Sequence, residues 1–387
     1  MSPLHMGDVC VLTDGPPALW FLEESTPDIR SSLKLDDAPL SVALHRDRRK
    51  AYAGIFNRGL VVHSLDGGRI LATVKTKPGI GPCPEAFGFT PDGSHLLVID
   101  TQPVDLCWGT VIAVRVDDDS VASTSRVELY RLSEEGIESS GSGSVSLAFS
   151  TDGKRAFVAL PTMSHISVLD VASCQPLRTI RLGERVGALV AGTRGSTLAI
   201  PHMGNDGPLI SIVDTATEQV ARAVRMASYP GAMCRSADED KLYAVTDRPE
   251  SSLNAIDLSA GESVASVPLE HPTSALAASP DGKRVFVASV DSPQISVITT
   301  EDHSVAAAVE LRAPASRLWV SLNGQRLYAA HADQGTVSVL DLEGELAELA
   351  YVKMGPRPRF VAAFSPSLSS SEASEAVGEG SSMTGSA

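Results

Sequence analysis

The feature that most constrains this chain is a short segment that returns eight times along its length. Each copy leads an apolar stretch into a tight turn and out again, as in SPDGKRVFVAS at Ser279–Ser289. The copies begin at Leu40, Glu85, Val145, Gly187, Gly231, Ser274, Ser316 and Phe360. Their spacings are 45, 60, 42, 44, 43, 42 and 44 residues. A period in the forties with strand-like content is typical of chains that repeat one four-stranded sheet around a ring.

Four strands, labelled a to d, can be recognised in each repeat. Strand a is short and apolar, and an Asp-Gly or Asn-Gly turn leads into strand b. A two-residue hairpin needs the positive φ that these turn residues tolerate. Strand c is rich in β-branched residues, as in ISVLDV from Ile166, and strand d alternates apolar and polar residues like a half-exposed outer strand. The pattern predicts an all-β protein, a β-propeller of four-stranded blades.

The two ends of the chain complete one blade. The last copy of strand a, FVAAFS from Phe360, is followed only by a tail. The N-terminus supplies VCVLT from Val9 as strand b, ALWFLEE from Ala18 as strand c and IRSSLKL from Ile29 as strand d. Pairing these strands closes the ring and removes an open sheet edge. We therefore predict eight blades; seven blades is the alternative, if the N-terminal segment packs outside the ring.

The repeat also predicts the domain organisation. Residues 1–366 should form a single propeller domain, and the Ser/Gly/Glu-rich residues 367–387 should be disordered because they have almost no large apolar groups. Blade 2 is longer than its neighbours, and its surplus lies in the loops TQPVDLCWGT and LSEEGIESSGSGS. Long loops on a rigid scaffold commonly carry function.

The repeats resemble the YVTN-type β-propeller family, which is related in style to the WD-type propellers with WD40-like repeats. The resemblance is carried by the turn at Ser279–Arg284 and by the strands at Ile166–Asp170 and Val337–Asp341. The Tyr-Val-Thr-Asn signature maps on Phe286–Ser289, although no blade has Asn in the fourth position. The family includes surface proteins, ligand and nucleic-acid binders, and relatives of lactonases and lyases. The resemblance therefore implies the fold and does not select a function.

Composition narrows the range of partners. The chain has 32 basic and 47 acidic residues, a net charge of −15, which disfavours nucleic acid and anionic membranes. The N-terminus shows no basic start followed by an apolar run, and no stretch approaches the ~18 apolar residues of a membrane span. The five cysteines are an odd number, which fits reduced thiols. We expect a cytoplasmic monomer that binds neither nucleic acid nor membranes.

The fourth position of strand b is a candidate site. In a propeller the ends of strands b meet the b–c and d–a loops on one face, around the channel mouth. The position is occupied in turn by Thr13, Ile55, Asp100, Leu160, His202, Thr246, Ser289 and His331. Asp100, His202 and His331 stand out, since two imidazoles and a carboxylate can hold a divalent metal or act as acid and base. The alternative is that each satisfies backbone groups of a neighbouring blade.

Basic residues gather in two adjacent d–a loops of this acidic chain. They are Arg312 and Arg317 in LRAPASRLWV, Lys353, Arg357 and Arg359 in VKMGPRPRFV, and, toward the same mouth, Arg185 in LGERVG. Guanidinium groups there suit a carboxylate or phosphate, which they bind through two parallel hydrogen bonds. The alternative is that they pair with nearby acids such as Glu184 and Glu310.

The b–c loop of blade 2 adds further candidates on the same face. Trp108 either caps a pocket or covers its own loop. Cys83 and Cys107 are a redox pair, soft metal ligands or two unrelated thiols, and their spacing favours unrelated thiols because it matches no C-x-x-C pattern.

These observations predict an intracellular binding module whose upper channel face recognises a small anionic ligand or a protein partner. The ligand-binding candidates are Arg185, Arg317, Arg357, Arg359 and Trp108. The alternative is a propeller enzyme of the lactonase, hydrolase or lyase class, with Asp100, His202 or His331 as acid, base or ligand of a divalent metal. The sequence contains no G-x-S-x-G, H-E-x-x-H, Walker or dinucleotide-binding motif, so no established catalytic motif supports that alternative.

Overall fold

The computed structural model describes residues 9–23, 28–45, 47–76, 84–101, 108–128, 132–133, 136–137, 145–160, 163–192, 195–247, 250–344, 346–361 and 363–364. The described residues form strands, turns and loops without a helix. Over these ranges, then, no helix is long and apolar enough to cross a membrane.

The strands form eight four-stranded antiparallel blades arranged as a β-propeller, which confirms the predicted fold and blade number. Strands b, c and d of blade 8 are β1 (Val9–Asp14), β2 (Pro17–Leu22) and β3 (Ile29–Lys34). Blade 1 contains β4 (Ser41–His45), β5 (Lys50–Ile55), β6 (Gly59–Ser64) and β7 (Ile70–Val74). Blade 2 contains β8 (Pro84–Phe89), β9 (His95–Asp100), β10 (Trp108–Arg115) and β11 (Val121–Glu128).

A small hairpin, β12 (Leu132–Ser133) and β13 (Gly136–Ile137), precedes blade 3. Blade 3 contains β14 (Ser146–Phe149), β15 (Arg155–Ala159), β16 (His165–Asp170) and β17 (Pro176–Arg181). Blade 4 contains β18 (Val190–Ala191), β19 (Thr197–Gly204), β20 (Gly207–Asp214) and β21 (Gln219–Arg225). Blade 5 contains β22 (Met233–Arg235), β23 (Lys241–Thr246), β24 (Ser252–Asp257) and β25 (Glu262–Pro268).

Blade 6 contains β26 (Thr273–Ala278), β27 (Arg284–Ser289), β28 (Gln294–Thr299) and β29 (Val305–Glu310). Blade 7 contains β30 (Arg317–Val320), β31 (Arg326–His331), β32 (Thr336–Asp341) and β33 (Glu348–Lys353). The chain ends with β34 (Arg359–Val361) and β35 (Ala363–Phe364).

The chain divides into two compact units. The first unit comprises Met1–Ala38 and Val224–Val361 and holds blades 5 to 8. The second comprises Pro39–Ala223 and Ala362–Ala387 and holds blades 1 to 4. In each unit, every pair of neighbouring blades shares a cluster of buried apolar side chains between their facing sheets. Burial of this apolar surface is the main force that holds adjacent blades together.

Blade 8 is built from both termini, as predicted. β1 pairs antiparallel with β34, with Val11 opposite Phe360. The predicted strand a, Phe360–Ser365, is wrong in its extent: the strand is β34, and the next two described residues form β35. β35 pairs in parallel with β4 of blade 1 and places Ala363 opposite Leu44. The inner edge of β4 thereby gains backbone partners that an edge strand otherwise lacks.

The turns from strand a to strand b share a hydrogen-bond arrangement. The Ser279 hydroxyl donates to Asp281 (2.5 Å) and accepts the Arg284 N–H (2.9 Å), while Asp281 accepts the Lys283 N–H (3.0 Å). Gly282 provides the positive φ, +69°. The connection between Ser279 and Arg284 is thus four residues long rather than the predicted two. The same Ser/Thr-to-carboxylate or amide bond occurs at Thr90–Asp92, Ser150–Asp152, Ser236–Asp238 and Ser321–Asn323.

Strand b is largely buried and also joins one blade to the next. In five blades it begins with Lys or Arg and carries a fully buried aromatic residue at its third position: Tyr52, Phe157, Tyr243, Phe286 and Tyr328. In blades 1, 3 and 6 this basic residue reaches the c–d connection of the following blade within the same unit. Lys50 donates to Asp119 (2.8 Å), and Arg284 donates to the Leu342 carbonyl (3.0 Å).

Every c–d pair whose register is described contains a β-bulge beside the c–d turn. The extra residue always lies on strand d, the outer strand; Leu177 and Val264 are examples, and both are exposed. A bulge increases the local twist and interrupts the row of unpaired backbone groups. The outer edge of each of these blades is therefore poorly suited to pairing with another strand.

Candidate functional site

The residues at the fourth position of strand b are buried. Several of their side chains are held by strand c of their own blade. Trp20 donates to the Thr13 hydroxyl (3.0 Å), and Asn254 donates to the Thr246 hydroxyl (3.2 Å). A residue of strand b and the residue two beyond its partner on strand c lie on the same face of the sheet, which explains these contacts.

Asp100 lies in the second unit, at the end of β9, and is fully buried. The Thr76 hydroxyl, which follows strand d of blade 1, donates to Asp100 Oδ2 at 2.5 Å. Asp100 thus contacts a side chain that follows blade 1, whereas the alternative to a metal site predicted contacts with backbone groups of a neighbouring blade.

His202, also in the second unit, is buried at 2% exposure. Its Nε2 lies 2.8 Å from the Ser211 hydroxyl on strand c of the same blade. A Cβ at Gly183 would lie 2.8 Å from His202 Nδ1, so this glycine allows the chain to cover the imidazole closely. Burial lowers the pKa of His202, against a smaller raising effect of the Met203 backbone. The side chain is therefore a buried, neutral imidazole near neutral pH.

His331 lies in the first unit and begins a chain of polar contacts in blade 7. Its Nδ1 lies 3.0 Å from the Pro314 carbonyl oxygen, and its Nε2 lies 2.8 Å from the Ser338 hydroxyl. The Ser338 hydroxyl donates to Glu348 Oε1 (2.7 Å), and Arg312 Nε donates to Glu348 Oε2 (2.9 Å). Burial lowers the pKa of His331, while the Pro314 carbonyl and Glu348 act in the opposite direction.

These contacts bear on the predicted metal site. Among the described residues, no group of three or more His, Cys, Asp or Glu side chains could hold a metal ion. Both ring nitrogens of His331 contact protein atoms, and Gly183 of the connection into blade 4 closely covers His202 Nδ1. A metal ion shared by Asp100, His202 and His331 stays a prediction. A catalytic role for them stays a prediction of the enzymatic alternative.

Two of the candidate basic residues form ion pairs within the first unit. Arg359, the first residue of β34, donates to Asp14 at 2.7 Å, and both side chains are about a quarter exposed. Arg312 pairs with Glu348 and also lies over the Tyr351 ring. Pairing with acids was the predicted alternative for this cluster, although the acids differ from Glu184 and Glu310, which the sequence singled out.

Arg357 differs from these two residues. It is exposed, and its guanidinium forms no ion pair with any described residue. Its backbone has φ +51° in the d–a loop that enters blade 8. The loop is anchored on both sides: Arg357 N–H donates to the Ala332 carbonyl (3.3 Å), and Asp14 N–H donates to the Pro356 carbonyl (3.1 Å). The Arg357 side chain thus projects from a short loop whose backbone is held by blades 7 and 8.

Arg317 begins β30, the strand a that contacts β34 of the adjacent blade. It is half-buried, and its Nη1 donates to the Ser316 carbonyl at 3.0 Å. The first unit thus contains Arg317, Arg357 and Arg359 at the entry of two neighbouring strands a. We call these three residues the arginine cluster.

The remaining candidates are not brought into this cluster by any contact that the structure describes. Arg185 is an exposed residue of the second unit, with φ +52°. Trp108 begins β10, but its side chain lies outside the described part of the chain. Cys83 and Cys107 also lie outside the described residues.

The sequence interpretation missed the partners of these side chains. Ser338 follows His331 by seven residues across the b–c hairpin. Because Thr336 pairs with His331, this spacing places the side chains of His331 and Ser338 on the same face of the sheet. Glu348 and Asp14 carried no comparable local signal, since each approaches its partner from a different strand.

One groove lies away from these residues, at the a–b turns of blades 2 and 3. Its volume is about 680 Å³, and its lining includes Asp92, His95, Asp152, Lys154 and Asp170. The carboxylates take part in their own turns: Asp152, for example, accepts the Lys154 N–H (3.0 Å).

Comparisons with known proteins identify structural neighbours only. No family model and no curated protein matches the sequence. The structure titled "Dihydro-heme d1 dehydrogenase NirN in complex with DHE" is 13% identical at a TM-score of 0.71, covering 92% of this chain and 74% of that one. The C-terminal WD40 domain of Sif2 is 16% identical at a TM-score of 0.66, covering 88% and 94%. Hydrazine synthase from Kuenenia stuttgartiensis is 17% identical at a TM-score of 0.54, covering 78% and 98%.

The fold is that of WD40-like β-propellers. At these identities the likeness extends to the fold alone, and it does not choose between a binding module and an enzyme. The YVTN resemblance is not matched by a family model and stays a prediction.

Proposed function

We propose that the protein is a propeller binding module that captures an anionic group of a small ligand at the arginine cluster. The observation that carries the proposal is the exposed Arg357, presented by an anchored loop beside the strand that Arg317 begins. The chain as a whole has a net charge of −15, so a local group of arginines is a marked exception. An exposed guanidinium that forms no ion pair with a described residue favours an anion that compensates its charge.

Each member of the cluster has a distinct role in this proposal. Arg357 supplies the accessible guanidinium, and Arg317 supplies a second, half-buried one. Arg359 is already paired with Asp14, so its charge is largely compensated and it supports the cluster without offering a vacant carboxylate-binding fork. A carboxylate or phosphate bound by two parallel N–H bonds to one guanidinium gains about 1.5–3 kcal/mol from each such charge-assisted contact.

The experiment is a titration of the full chain with phosphate, sulfate and simple carboxylates. Binding is measured by calorimetry and by thermal shift, at low and at moderate salt. We expect millimolar or tighter binding of at least one anion, weakened about tenfold or more in R357A. R317K should also weaken binding, because an ammonium does not reproduce the planar fork. R222A is the matched control, since Arg222 is an exposed arginine on the outer strand β21.

If no anion stabilises the wild type, or if R357A and R222A respond alike, the cluster is a solvated surface. In that case the other half of the predicted function, recognition of a protein partner, becomes the better account.

A further inference from the structure

The polar contacts around His331 need more protons than neutral side chains supply. His331 ends β31, Ser338 lies on β32, and Glu348 begins β33, so the contacts join strands b, c and d of blade 7. Three distances define this proton chain. They are 3.0 Å from Pro314 O to His331 Nδ1, 2.8 Å from Nε2 to Ser338 Oγ, and 2.7 Å from Oγ to Glu348 Oε1.

Each of these distances is that of a hydrogen bond, and each bond needs one proton. The Pro314 carbonyl only accepts, so His331 Nδ1 must carry a proton. An ionised Glu348 also only accepts, so the Ser338 hydroxyl must donate to it. The contact between His331 Nε2 and Ser338 Oγ is then a hydrogen bond only if His331 Nε2 carries a proton as well. A neutral imidazole and one hydroxyl supply two protons for three bonds.

We propose that His331, Ser338 and Glu348 form a proton-binding site that takes up a third proton and thereby fastens the three outer strands of blade 7. When the site is filled, His331 is an imidazolium that donates from both nitrogens, and Ser338 relays the interaction to the carboxylate. When the proton leaves, two lone pairs face each other across one contact, and that contact opens. Burial leaves the pKa of His331 below its ordinary value, and it is the contribution of Glu348 that depends on pH in this way: the stabilisation that Glu348 gives the imidazolium is present at low pH and is lost as pH rises.

The surrounding charges support this assignment of the proton to His331. Glu348 is the charged group that acts on His331. Arg312, from the loop before β30, donates to Glu348 at 2.9 Å. The remaining titratable neighbour is Tyr351 of β33, whose ring lies 5.7 Å from the imidazole. Burial opposes the imidazolium and lowers the pKa of His331, while the Pro314 carbonyl and Glu348 act in the opposite direction and offset part of that effect.

Blade 4 contains a natural control. His202 lies 2.8 Å from Ser211, which is two residues beyond its strand partner Leu209, just as Ser338 is two beyond Thr336. Among the described residues, no carboxylate contacts Ser211, so one hydroxyl proton fills the single His202–Ser211 bond. Burial lowers the pKa of both histidines, but only His331 has a carboxylate that raises it.

The decisive variant is E348Q. A glutamine amide can donate to the Ser338 oxygen, which leaves the Ser338 proton for Nε2 and fills all three contacts with a neutral imidazole. Urea unfolding of the full chain is measured for wild type and E348Q between pH 5 and pH 9. We expect the folded-to-unfolded ratio of E348Q, relative to wild type, to rise about threefold to tenfold from pH 5 to pH 9. A change by the same factor at every pH would overturn the proposal.

A second measurement reports the protons directly and does not require the variant to fold. In a ¹⁵N-histidine-labelled wild type, the ring nitrogens of His331 should remain doubly protonated to a higher pH than those of His202. H202Q assigns the reference signal. If His331 and His202 titrate together, or if His331 loses its second proton first, the site does not bind the third proton.

Discussion

The contact between Lys50 and Asp119 gives the sharpest test of how neighbouring blades are joined. Lys50 Nζ lies 2.8 and 2.9 Å from the two Asp119 carboxylate oxygens, and the side chains are only 13% and 8% exposed. The Tyr52 hydroxyl also donates to Asp119, at 2.9 Å. Burial raises the pKa of Tyr52, with Asp119 adding to the effect, so this hydroxyl stays protonated and needs an acceptor.

The perturbation is D119G. Glycine is chosen because Asp119 has φ +58°, which glycine adopts at no steric cost, so only the side chain is lost. Breaking a buried ion pair by removing one partner costs about 3–5 kcal/mol. In D119G, Lys50 still donates to the Val116 carbonyl at 2.7 Å. We therefore expect the free energy of unfolding to fall by about 3 kcal/mol, the lower end of this range.

The assay is urea unfolding, with two comparisons. D66A removes the acid of the Arg49–Asp66 pair in blade 1, whose side chains are 33% and 55% exposed, and should cost less than about 1 kcal/mol. K50M in the D119G background should cost less than K50M alone, because the uncompensated ammonium is then removed. If D119G costs no more than D66A, or if the two substitutions are additive, the buried pair does not join blades 1 and 2 as described.

Two further predictions concern pH and closure. His45 lies 3.1 Å from the Gly93 carbonyl and accepts the Arg48 N–H, and burial lowers the pKa of His45. The free energy of unfolding should therefore fall as pH drops below about 6.5. H45Q should reduce that loss, as measured by urea midpoints from about pH 8 to about pH 5. Deleting residues 1–35 removes β1, β2 and β3 and should give insoluble or strongly destabilised protein, whereas a truncated chain that melts like the full one would contradict closure by both termini.

The fold was predictable because its signals are local and repeated. The apolar strands, the turn at Ser279–Arg284 and the unmatched strand at Phe360 together predicted eight blades and their closure. Strand ends were harder, because the split between β34 and β35 depends on the available edge of β4, which no local pattern records.

The candidate site was predictable in its residue types and not in its contacts. The pattern singled out His331 and Arg359, but it could not show that Glu348 and Asp14 reach them from other strands. A side chain's partner across strands depends on register, and the sequence predicts register less well than it predicts the strand itself.

The closure of blade 8 also sets an order of events during synthesis. Asp14 and Arg359, which pair across this blade, are separated by 345 positions in the chain. At translation rates of about 5–20 residues per second, the N-terminal strands leave the ribosome roughly 20–70 s before their partner exists. During that interval β1 has an open edge and an apolar face that no later strand yet covers. A nascent chain of this protein is thus most exposed to mispairing at its beginning, and a chaperone that shields the first 35 residues would protect the step on which the completed ring depends.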